Sequence, residues 1–216
     1  MSRFCHLIFD LDGTLVDTQA DLAVAANYML EQLDLPPRSV QQVGSYIGHG
    51  ARVLVERVLG SGQAHQTAHG FDLFMRYYAE HLVDQSVVYP GIDQVLAAAQ
   101  AQGMVLSVLT NKPEAPSRGI MSGLGLMPFF GRLVGGDTLP TKKPNPYGVA
   151  YLQRLTGVSL PETLLIGDSS IDMETGQRAS IATCGVRWGF SPEGLSHYAP
   201  EFIVDSAEEL LAVILD

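Results

Sequence analysis

Two aspartates near the start of the chain are the residues best suited to chemistry. Asp10 and Asp12 stand one residue apart, directly after the apolar run 7–9, and Gly13 and Thr14 follow them. Carboxylates this close repel each other unless a cation lies between them or one of them holds a proton. Both arrangements suit phosphoryl transfer, in which one carboxylate is the nucleophile and the other moves a proton. The pair is also compatible with an ordinary polar turn, because Asp and Gly are common in turns.

Three further sets of polar residues follow apolar runs later in the chain. They are Thr110 with Asn111, Lys142 with Lys143, and Asp168 with Asp172. In an open parallel sheet, ligands bind outside the carboxyl ends of the strands, so all four sets are expected to meet at one edge. Carboxylates, a hydroxyl and a lysine gathered there predict a site for Mg²⁺ and a phosphoryl group.

The elements that must position these residues alternate between strands and helices from Pro90 onward. Buried strands are predicted at 7–9, 105–109, 133–134, 164–166, 183–186 and 202–204. Alternation of strands with helices is typical of βαβ units. The predicted fold class is therefore α/β, a doubly wound parallel sheet with helices on both faces. The Gly- and Pro-rich stretch 189–200 is predicted to be a long surface loop.

Residues 16–86 are predicted to form a small, all-helical unit inserted after the first strand. The spacing of apolar residues predicts helices at 17–35, 39–47, 51–59 and 67–83, and no strand pattern interrupts them. The predicted division is a core domain of residues 1–15 and 87–216 and a helical domain of residues 16–86.

Composition limits the classes of function. The 216 residues are 46% hydrophobic and 17% charged, as in an ordinary globular protein, and no apolar run is long enough to span a bilayer. The formal net charge of −10 argues against nucleic acid or an anionic membrane as a partner. No signal peptide or Cys-rich pattern is recognisable, so a cytoplasmic protein with reduced thiols is expected. A homo-oligomer is compatible with the sequence, but nothing indicates one.

The four sets of polar residues resemble, in order and spacing, the motifs of the haloacid dehalogenase (HAD) superfamily. The matching motifs are Asp10-x-Asp12-Gly13-Thr14, Thr110-Asn111, Lys143-Pro144 and Gly167-Asp168-Ser169-x-x-Asp172. The resemblance spans almost the whole chain. It implies a Rossmann-like core, with the helical insert as the C1 cap of that superfamily.

This resemblance also implies a separate catalytic or metal-binding role for each carboxylate. Asp10 would be the nucleophile that forms an aspartyl-phosphate, and Asp12 would be the general acid and base. Mg²⁺ would be held by the carboxylates of Asp10 and Asp168 and by the backbone carbonyl of Asp12. Asp172 would support the metal from outside these ligands.

The remaining motif residues would bind the substrate. Thr110, Asn111 and Lys143 would hold the phosphoryl oxygens, where charge lies in the transition state. Gly13 and Thr14 belong to the same substrate-binding loop by this resemblance.

Other stretches narrow the resemblance to the bacterial phosphoglycolate phosphatases of the superfamily. They are Gly48-His49-Gly50-Ala51, Gly135-Gly136-Asp137 and residues 108–113. The implied reaction is hydrolysis of 2-phosphoglycolate, a small phosphorylated metabolite, to glycolate and phosphate. One departure is Ser180, which follows Ala179 where those enzymes usually carry Gly. It concerns the end of a helix and leaves the chemistry unchanged.

The insert is expected to determine substrate specificity. His49 and Arg52 lie around a glycine-rich break at a helix start, where a small carboxylate could bind. An ordinary surface helix explains the same two residues equally well. Lys112 is interpreted as a surface cation near the opening of the site.

Four alternative functions are compatible with parts of this pattern. A HAD phosphatase or mutase could act on a sugar phosphate or another small ester, because the pockets of such caps vary. A dehalogenase does not need Asp12, and a phosphonate hydrolase needs a cap lysine, which residues 16–86 lack. A phospho-accepting receiver domain pairs similar residues, but such domains are shorter and have no helical insert.

Overall fold

The computed structural model describes residues 3–216, which form eight strands and nine α-helices. The strands are β1 (His6–Phe9), β2 (Val16–Asp17), β3 (Val87–Val88), β4 (Val105–Leu109), β5 (Arg132–Val134), β6 (Thr163–Gly167), β7 (Ala182–Val186) and β8 (Phe202–Val204). The helices are α1 (Gln19–Gln32), α2 (Val40–Gly44), α3 (Ala51–Leu59), α4 (Thr67–Glu80), α5 (Ile92–Ala101), α6 (Glu114–Gly123), α7 (Tyr147–Thr156), α8 (Ser170–Ala179) and α9 (Ala207–Leu215).

Six of the strands form one parallel sheet in the order β5-β4-β1-β6-β7-β8. β1 lies in the middle, and its first residue His6 aligns with Val105 of β4 on one side and Thr163 of β6 on the other. Helices connect these strands, so the predicted doubly wound α/β fold is confirmed.

Both faces of the sheet are covered, because successive residues of a strand point to opposite sides. Leu7 and Phe9 of β1 pack into a large apolar cluster with α5 and α9, whereas Ile8 packs into a smaller cluster with α7. β1 is therefore buried throughout, and its carboxyl end is held firmly from both sides.

The segment between β2 and β3 carries α1 to α4, and α1 packs against each of the other three. The expectation that no strand interrupts residues 16–86 was wrong at one point. Val16 and Asp17 form β2, which pairs antiparallel with β3 at Val88 and Val87. Two-residue strands are too short to show the alternation by which strands are recognised in a sequence.

β2 and β3 stand where the two predicted domain segments join, one beside each boundary. The predicted core segment 1–15 begins with Met1 and Ser2, which lie outside the described residues. Over residues 3–216, no helix combines the length and the apolar character needed to cross a membrane.

Part of the stretch 189–200, which was predicted as a surface loop, is helical. Residues Pro192–Tyr198 form a 3₁₀ helix, and Leu195 within it is buried. The preceding residues turn back toward the carboxyl ends of β1 and β6, where they contact the candidate site described below.

Candidate active site

Asp10 directly follows β1 and is buried, with its two carboxylate oxygens in different surroundings. Oδ1 accepts the N–H of Leu11 at 2.7 Å and lies 2.9 Å from Nζ of Lys143. No described residue donates a hydrogen bond to Oδ2. Burial raises the pKa of Asp10 to about 6, against the opposing effect of the Lys143 ammonium. Asp10 therefore presents one unengaged oxygen to its surroundings.

Three buried carboxylates meet beside this position. Asp10, Asp168 and Asp172 each offer an oxygen, and these atoms lie within 4.8 Å of one another. Burial, followed by the charges of Asp172 and Asp10, raises the pKa of Asp168 well above its usual value. An all-oxygen set under such repulsion fits a hard divalent cation.

Lys143 supplies the cation that the fold itself brings to this cluster. Its Nζ lies 2.6 Å from Oδ1 of Asp172 and 2.9 Å from Oδ1 of Asp10, and its side chain is 1% exposed. Although burial opposes its charge, the two carboxylates raise the pKa of Lys143. The ammonium is therefore charged at neutral pH and suited to charge-assisted hydrogen bonds with phosphoryl oxygens.

Asp172 occupies its place because it also caps α8. Its Oδ2 accepts the hydroxyl of Ser169 at 2.6 Å and the N–H of Ser169 at 3.2 Å. These two hydrogen bonds, both donated by Ser169 at the start of α8, fix the Asp172 side chain. Oδ1 of Asp172 then faces Lys143, as the spacing of four residues from Asp168 allowed.

Two glycine-containing turns close around Asp168. Gly13 has a φ of +83°, and a Cβ there would lie 2.3 Å from Oδ2 of Asp168, so only glycine fits. The N–H of Phe190 donates to the same oxygen at 2.7 Å. The Thr14 hydroxyl lies 3.5 Å from Oδ1, and its backbone carbonyl accepts the Trp188 indole N–H at 3.2 Å. Gly13 and Thr14 thus contact Asp168 and do not line the cavity.

Asp12 lies in the turn after β1, because the strand ends at Phe9. It still reaches the same cavity as Asp10. Its Oδ1 accepts the hydroxyl of Thr18 at 2.6 Å, and Nζ of Lys112 lies 3.0 Å from Oδ1 and 3.3 Å from Oδ2. The carboxylate is thus oriented by residues on both sides of it.

The interpretation of Lys112 as a surface cation was wrong. Lys112 is 6% exposed, and its ammonium also donates to the hydroxyl of Tyr78 on α4 at 2.8 Å. Burial opposes its charge, but Asp12 and Tyr78 together raise the pKa of Lys112 to about 12. The buried position of Lys112 depends on a partner from α4, which the sequence around Lys112 does not reveal.

Thr110 and Asn111 follow β4, where the sequence placed them. The hydroxyl oxygen of Thr110 accepts the N–H of Lys112 at 3.2 Å, which leaves its own proton available to a ligand. The Asn111 side chain donates to the carbonyl oxygens of Gly48 at 2.8 Å and Lys143 at 3.0 Å. Asn111 therefore ties the insert to the loop that carries Lys143.

One cavity connects these groups with the insert. The predicted site residues among its lining are Asp10, Asp12, Thr110, Asn111 and Asp168, whereas Lys143 and Asp172 lie buried behind them. On the insert side the wall is largely apolar and includes Leu22, Ile47, Ala51, Leu54, Phe74 and Met75.

His49 and Arg52 do not line this cavity, although Gly48 and Gly50 do. Both side chains are exposed, and the Arg52 guanidinium lies 4.8 Å from the centre of the Phe71 ring. The backbone carbonyl of His49 accepts a hydrogen bond from Lys142 at 2.6 Å. The structure therefore brings together the motif residues and leaves these two side chains apart.

Comparison with known proteins agrees with this geometry. The family described as haloacid dehalogenase-like hydrolase matches residues 7–186. A phosphoglycolate phosphatase of Pseudomonas syringae pv. tomato is 35% identical over 97% of this chain and 79% of its own. One of Colwellia psychrerythraea is 36% identical over 95% of this chain and 94% of its own.

Solved structures give the same result. A crystal structure of a predicted phosphoglycolate phosphatase from Haemophilus somnus is 33% identical and has a TM-score of 0.93, with 99% of both chains covered. The sequence similarity and the shared fold extend over nearly the full length of the chain. The chain therefore belongs to the haloacid dehalogenase-like hydrolase family.

Proposed function

We propose that this protein is a Mg²⁺-dependent phosphomonoesterase that hydrolyses 2-phosphoglycolate to glycolate and phosphate. The observation that carries the proposal is the unengaged Oδ2 of Asp10, which borders a small cavity beside Lys143 and two further carboxylates. The relatives named phosphoglycolate phosphatase, at about 35% identity, support the substrate.

Asp10 acts as the nucleophile in this proposal. Oδ2 attacks phosphorus in line with the ester oxygen, so that an aspartyl-phosphate forms as the bond to the glycolate oxygen breaks. The N–H of Leu11 and the Lys143 ammonium hold Oδ1, which fixes the plane of the attacking carboxylate. Orienting the nucleophile in advance lowers the entropic part of the barrier.

Asp12 moves the proton. It protonates the departing glycolate oxygen and then accepts a proton from the water that hydrolyses the aspartyl-phosphate. General acid–base catalysis of this kind contributes typically ~10²–10⁴-fold to the rate. The contacts from Thr18 and Lys112 support this role, because they keep the carboxylate directed at the cavity.

Three protein groups are the proposed donors to the phosphoryl oxygens, two on residues that line the cavity and one on Lys143, which contacts Asp10. They are the Thr110 hydroxyl, the Asn111 backbone N–H and the Lys143 ammonium. Donors that are fixed before the reaction stabilise the charge that develops in the transition state. Burial of Lys143 strengthens this effect, because the local dielectric constant is low.

Mg²⁺ is the proposed metal. The carboxylates of Asp10 and Asp168 would hold it together with the Asp12 carbonyl, and Asp172 would support the site from behind. When bound, the ion neutralises the carboxylates and draws charge from the phosphoryl group. The crowding of three buried carboxylates supports a cation of this charge.

The setting of the reaction is also part of the proposal. In this proposal the insert, predicted as residues 16–86, is a cap over the core domain and encloses a small metabolite. A cytoplasmic location is supported by Cys5 and Cys184, which are both free thiols. The net charge of −10 supports a small-molecule substrate and argues against nucleic acid.

The proposal is tested by Mg²⁺-dependent phosphate release across a panel of esters that includes 2-phosphoglycolate, hexose phosphates and pentose phosphates. We expect kcat/KM for 2-phosphoglycolate to exceed the others by at least about 100-fold. Asp10→Asn should have no activity above background. Activity that is flat across the panel would reject the substrate, and an active Asp10→Asn variant would reject the mechanism.

A further inference from the structure

Lys112 is a buried cation in the wall of the active-site cavity, and the mechanism above does not use its charge on the substrate. Among the described residues that line the cavity it is the only Lys, Arg or His. Burial of a lysine–carboxylate pair stabilises a fold little compared with apolar residues of the same size. Its presence there therefore points to a ligand.

The position of Lys112 relative to Asp12 shows which part of a ligand it would meet. Nζ lies 3.0 Å from Oδ1 of Asp12, the group that must touch the ester oxygen. A cation beside that group lies within reach of atoms attached to the first carbon of the leaving alcohol. In 2-phosphoglycolate, that carbon carries the carboxylate.

The rest of the cavity gives this carboxylate no comparable partner. The wall contributed by the insert is apolar around Leu54, Phe74 and Met75. Asp10, Asp12 and Asp168 on the core side repel an anion. The side chains of His49 and Arg52 lie outside the lining.

Tyr78 completes the arrangement from the insert. Its hydroxyl accepts a hydrogen bond from Nζ of Lys112 at 2.8 Å, and its own proton is available to an acceptor. The ammonium also lies 4.7 Å from the centre of the Tyr78 ring, so the side chain of Lys112 is held in one place. Two donors, one charged and one neutral, thus stand next to the general acid.

We propose that Lys112, assisted by the Tyr78 hydroxyl, binds the carboxylate of the substrate and makes the enzyme selective for phosphate esters with an anionic group beside the ester carbon. This inference rests on the proposed function and names the residue that sets its specificity. It differs from the possibility, raised by the sequence, that the carboxylate binds at His49 and Arg52.

The test compares 2-phosphoglycolate with ethylene glycol monophosphate, which carries a neutral alcohol in place of the carboxylate. In Lys112→Met we expect kcat/KM for 2-phosphoglycolate to fall by about 100-fold or more, because a buried charge partner is lost. The fall for ethylene glycol monophosphate should be about fivefold at most, since that ester loses only the support that Lys112 gives to Asp12, which Thr18 also holds. Equal falls for the two esters would overturn the proposal.

Two control variants test whether the effect requires a positive charge at residue 112 and whether it is specific to that residue. Lys112→Arg keeps a cation and should retain most of the preference for the anionic ester. Arg154→Met removes an exposed cation on α7, outside the cavity lining, and should leave the ratio of the two kcat/KM values unchanged. A merely structural role of Lys112 would alter both esters alike.

Binding without turnover gives a second measurement that does not depend on the stability of the single variant. Asp12→Asn is compared with Asp12→Asn/Lys112→Met, in which both members of the ion pair are replaced together. By calorimetry we expect the double variant to bind 2-phosphoglycolate about 30-fold more weakly or worse than Asp12→Asn. Ethylene glycol monophosphate should bind the two variants alike, and unchanged affinity for 2-phosphoglycolate would overturn the proposal.

These outcomes distinguish the substrate of the enzyme from the role of Lys112 in selecting it. A wild-type protein without preference for 2-phosphoglycolate rejects the proposed function itself. A wild-type preference that survives in Lys112→Met rejects only the role of Lys112.

Discussion

At the scale of single residues, the site is dominated by negative charge that the protein does not fully neutralise. Asp10, Asp168 and Asp172 lie within 4.8 Å of one another, and Lys143 is the ammonium in direct contact with two of them. Burial raises the pKa of Asp10 to about 6 and that of Asp168 well above its usual value. Protons and a metal ion therefore compete for the same oxygens.

This competition predicts how Mg²⁺ stabilises the fold at different pH. A carboxyl whose pKa is higher in the folded than in the unfolded state stabilises the fold at low pH, and that contribution is lost as pH rises. For Asp10 this stabilisation is complete below the unfolded pKa near 3.8 and is lost as the pH rises through the folded pKa of about 6. We expect Mg²⁺ to raise Tm more at about pH 7.5 than at about pH 5, where protons occupy the site.

Thermal unfolding at both pH values, with and without Mg²⁺, checks this expectation. Asp72→Asn changes an exposed aspartate outside the site and should keep the full Mg²⁺ effect. Asp168→Asn should lose it. An increase in Tm that is the same at both pH values would contradict the competition.

Residue types and spacing revealed much of the site, but not how its residues are supported. The carboxylates at the ends of β1 and β6 were recognisable because each directly follows an apolar run. The pairing of Lys112 with Tyr78 was not recognisable, because the two residues lie on separate elements and meet only through the packing of α4 over the core. For the same reason, sequence alone could not place His49 and Arg52 outside the cavity lining.

At the scale of elements, the end of α8 carries a local strain. Ser180 caps this helix with φ 55° and ψ 42°, the left-handed conformation that favours glycine. Its N–H donates to the carbonyl of Gln177, and the next N–H donates to that of Gly176. Ser180 is exposed, and its side chain makes no hydrogen bond within the described residues.

Ser180→Gly is therefore expected to raise the free energy of unfolding by about 1 kcal/mol, because glycine adopts this conformation without a steric penalty. Denaturant unfolding measures the change. Ser122→Gly, in the last turn of α6, is the matched control and should lower stability by about 0.5 kcal/mol. A decrease for both variants would show that the cap of α8 is unstrained.

The lengths of the elements decided which of them the sequence could predict. Long helices such as α4 show clear periodicity, and buried strands such as β6 are recognisable as continuous apolar runs. β2 and β3 have two residues each, and their pairing brings Val16 next to Val88 across the whole insert. The sequence around Phe190 contains no pattern from which its contact with Asp168 could be predicted.

At the scale of the whole molecule, the insert rests on the core through backbone groups at residues 48–50. Gly48 and His49 offer their carbonyl oxygens to Asn111 and Lys142. Gly50 has a φ of +92°, and a Cβ there would lie 2.9 Å from the backbone oxygen of Asn111. The fit between the two parts of the molecule therefore depends on the absence of a side chain at this position.

We expect Gly50→Ala to lower kcat/KM by about tenfold or more, since a misplacement of about 1 Å can cost still more in rate. Gly60→Ala is the matched control, because Gly60 has a φ of +77° but no atom within 4 Å of its Cβ position. Both variants should lose about 1–3 kcal/mol of stability, because both glycines adopt a backbone conformation that other residues rarely enter. Equal activity in the two variants would contradict a specific role for the contact at residues 48–50.

The central position of β1 has a consequence for the order in which the molecule can be built during synthesis. β1 is made before either of its neighbours, and it pairs with β4 from residue 105 and with β6 from residue 163. Pairings of such long sequence separation form slowly, whereas the helices of residues 19–80 need only local contacts. The insert can therefore fold on the ribosome before β4 and β6 are available to pair with β1. Asp10 is synthesised early, but it acquires Lys143 and Asp168 only when the last third of the chain has emerged.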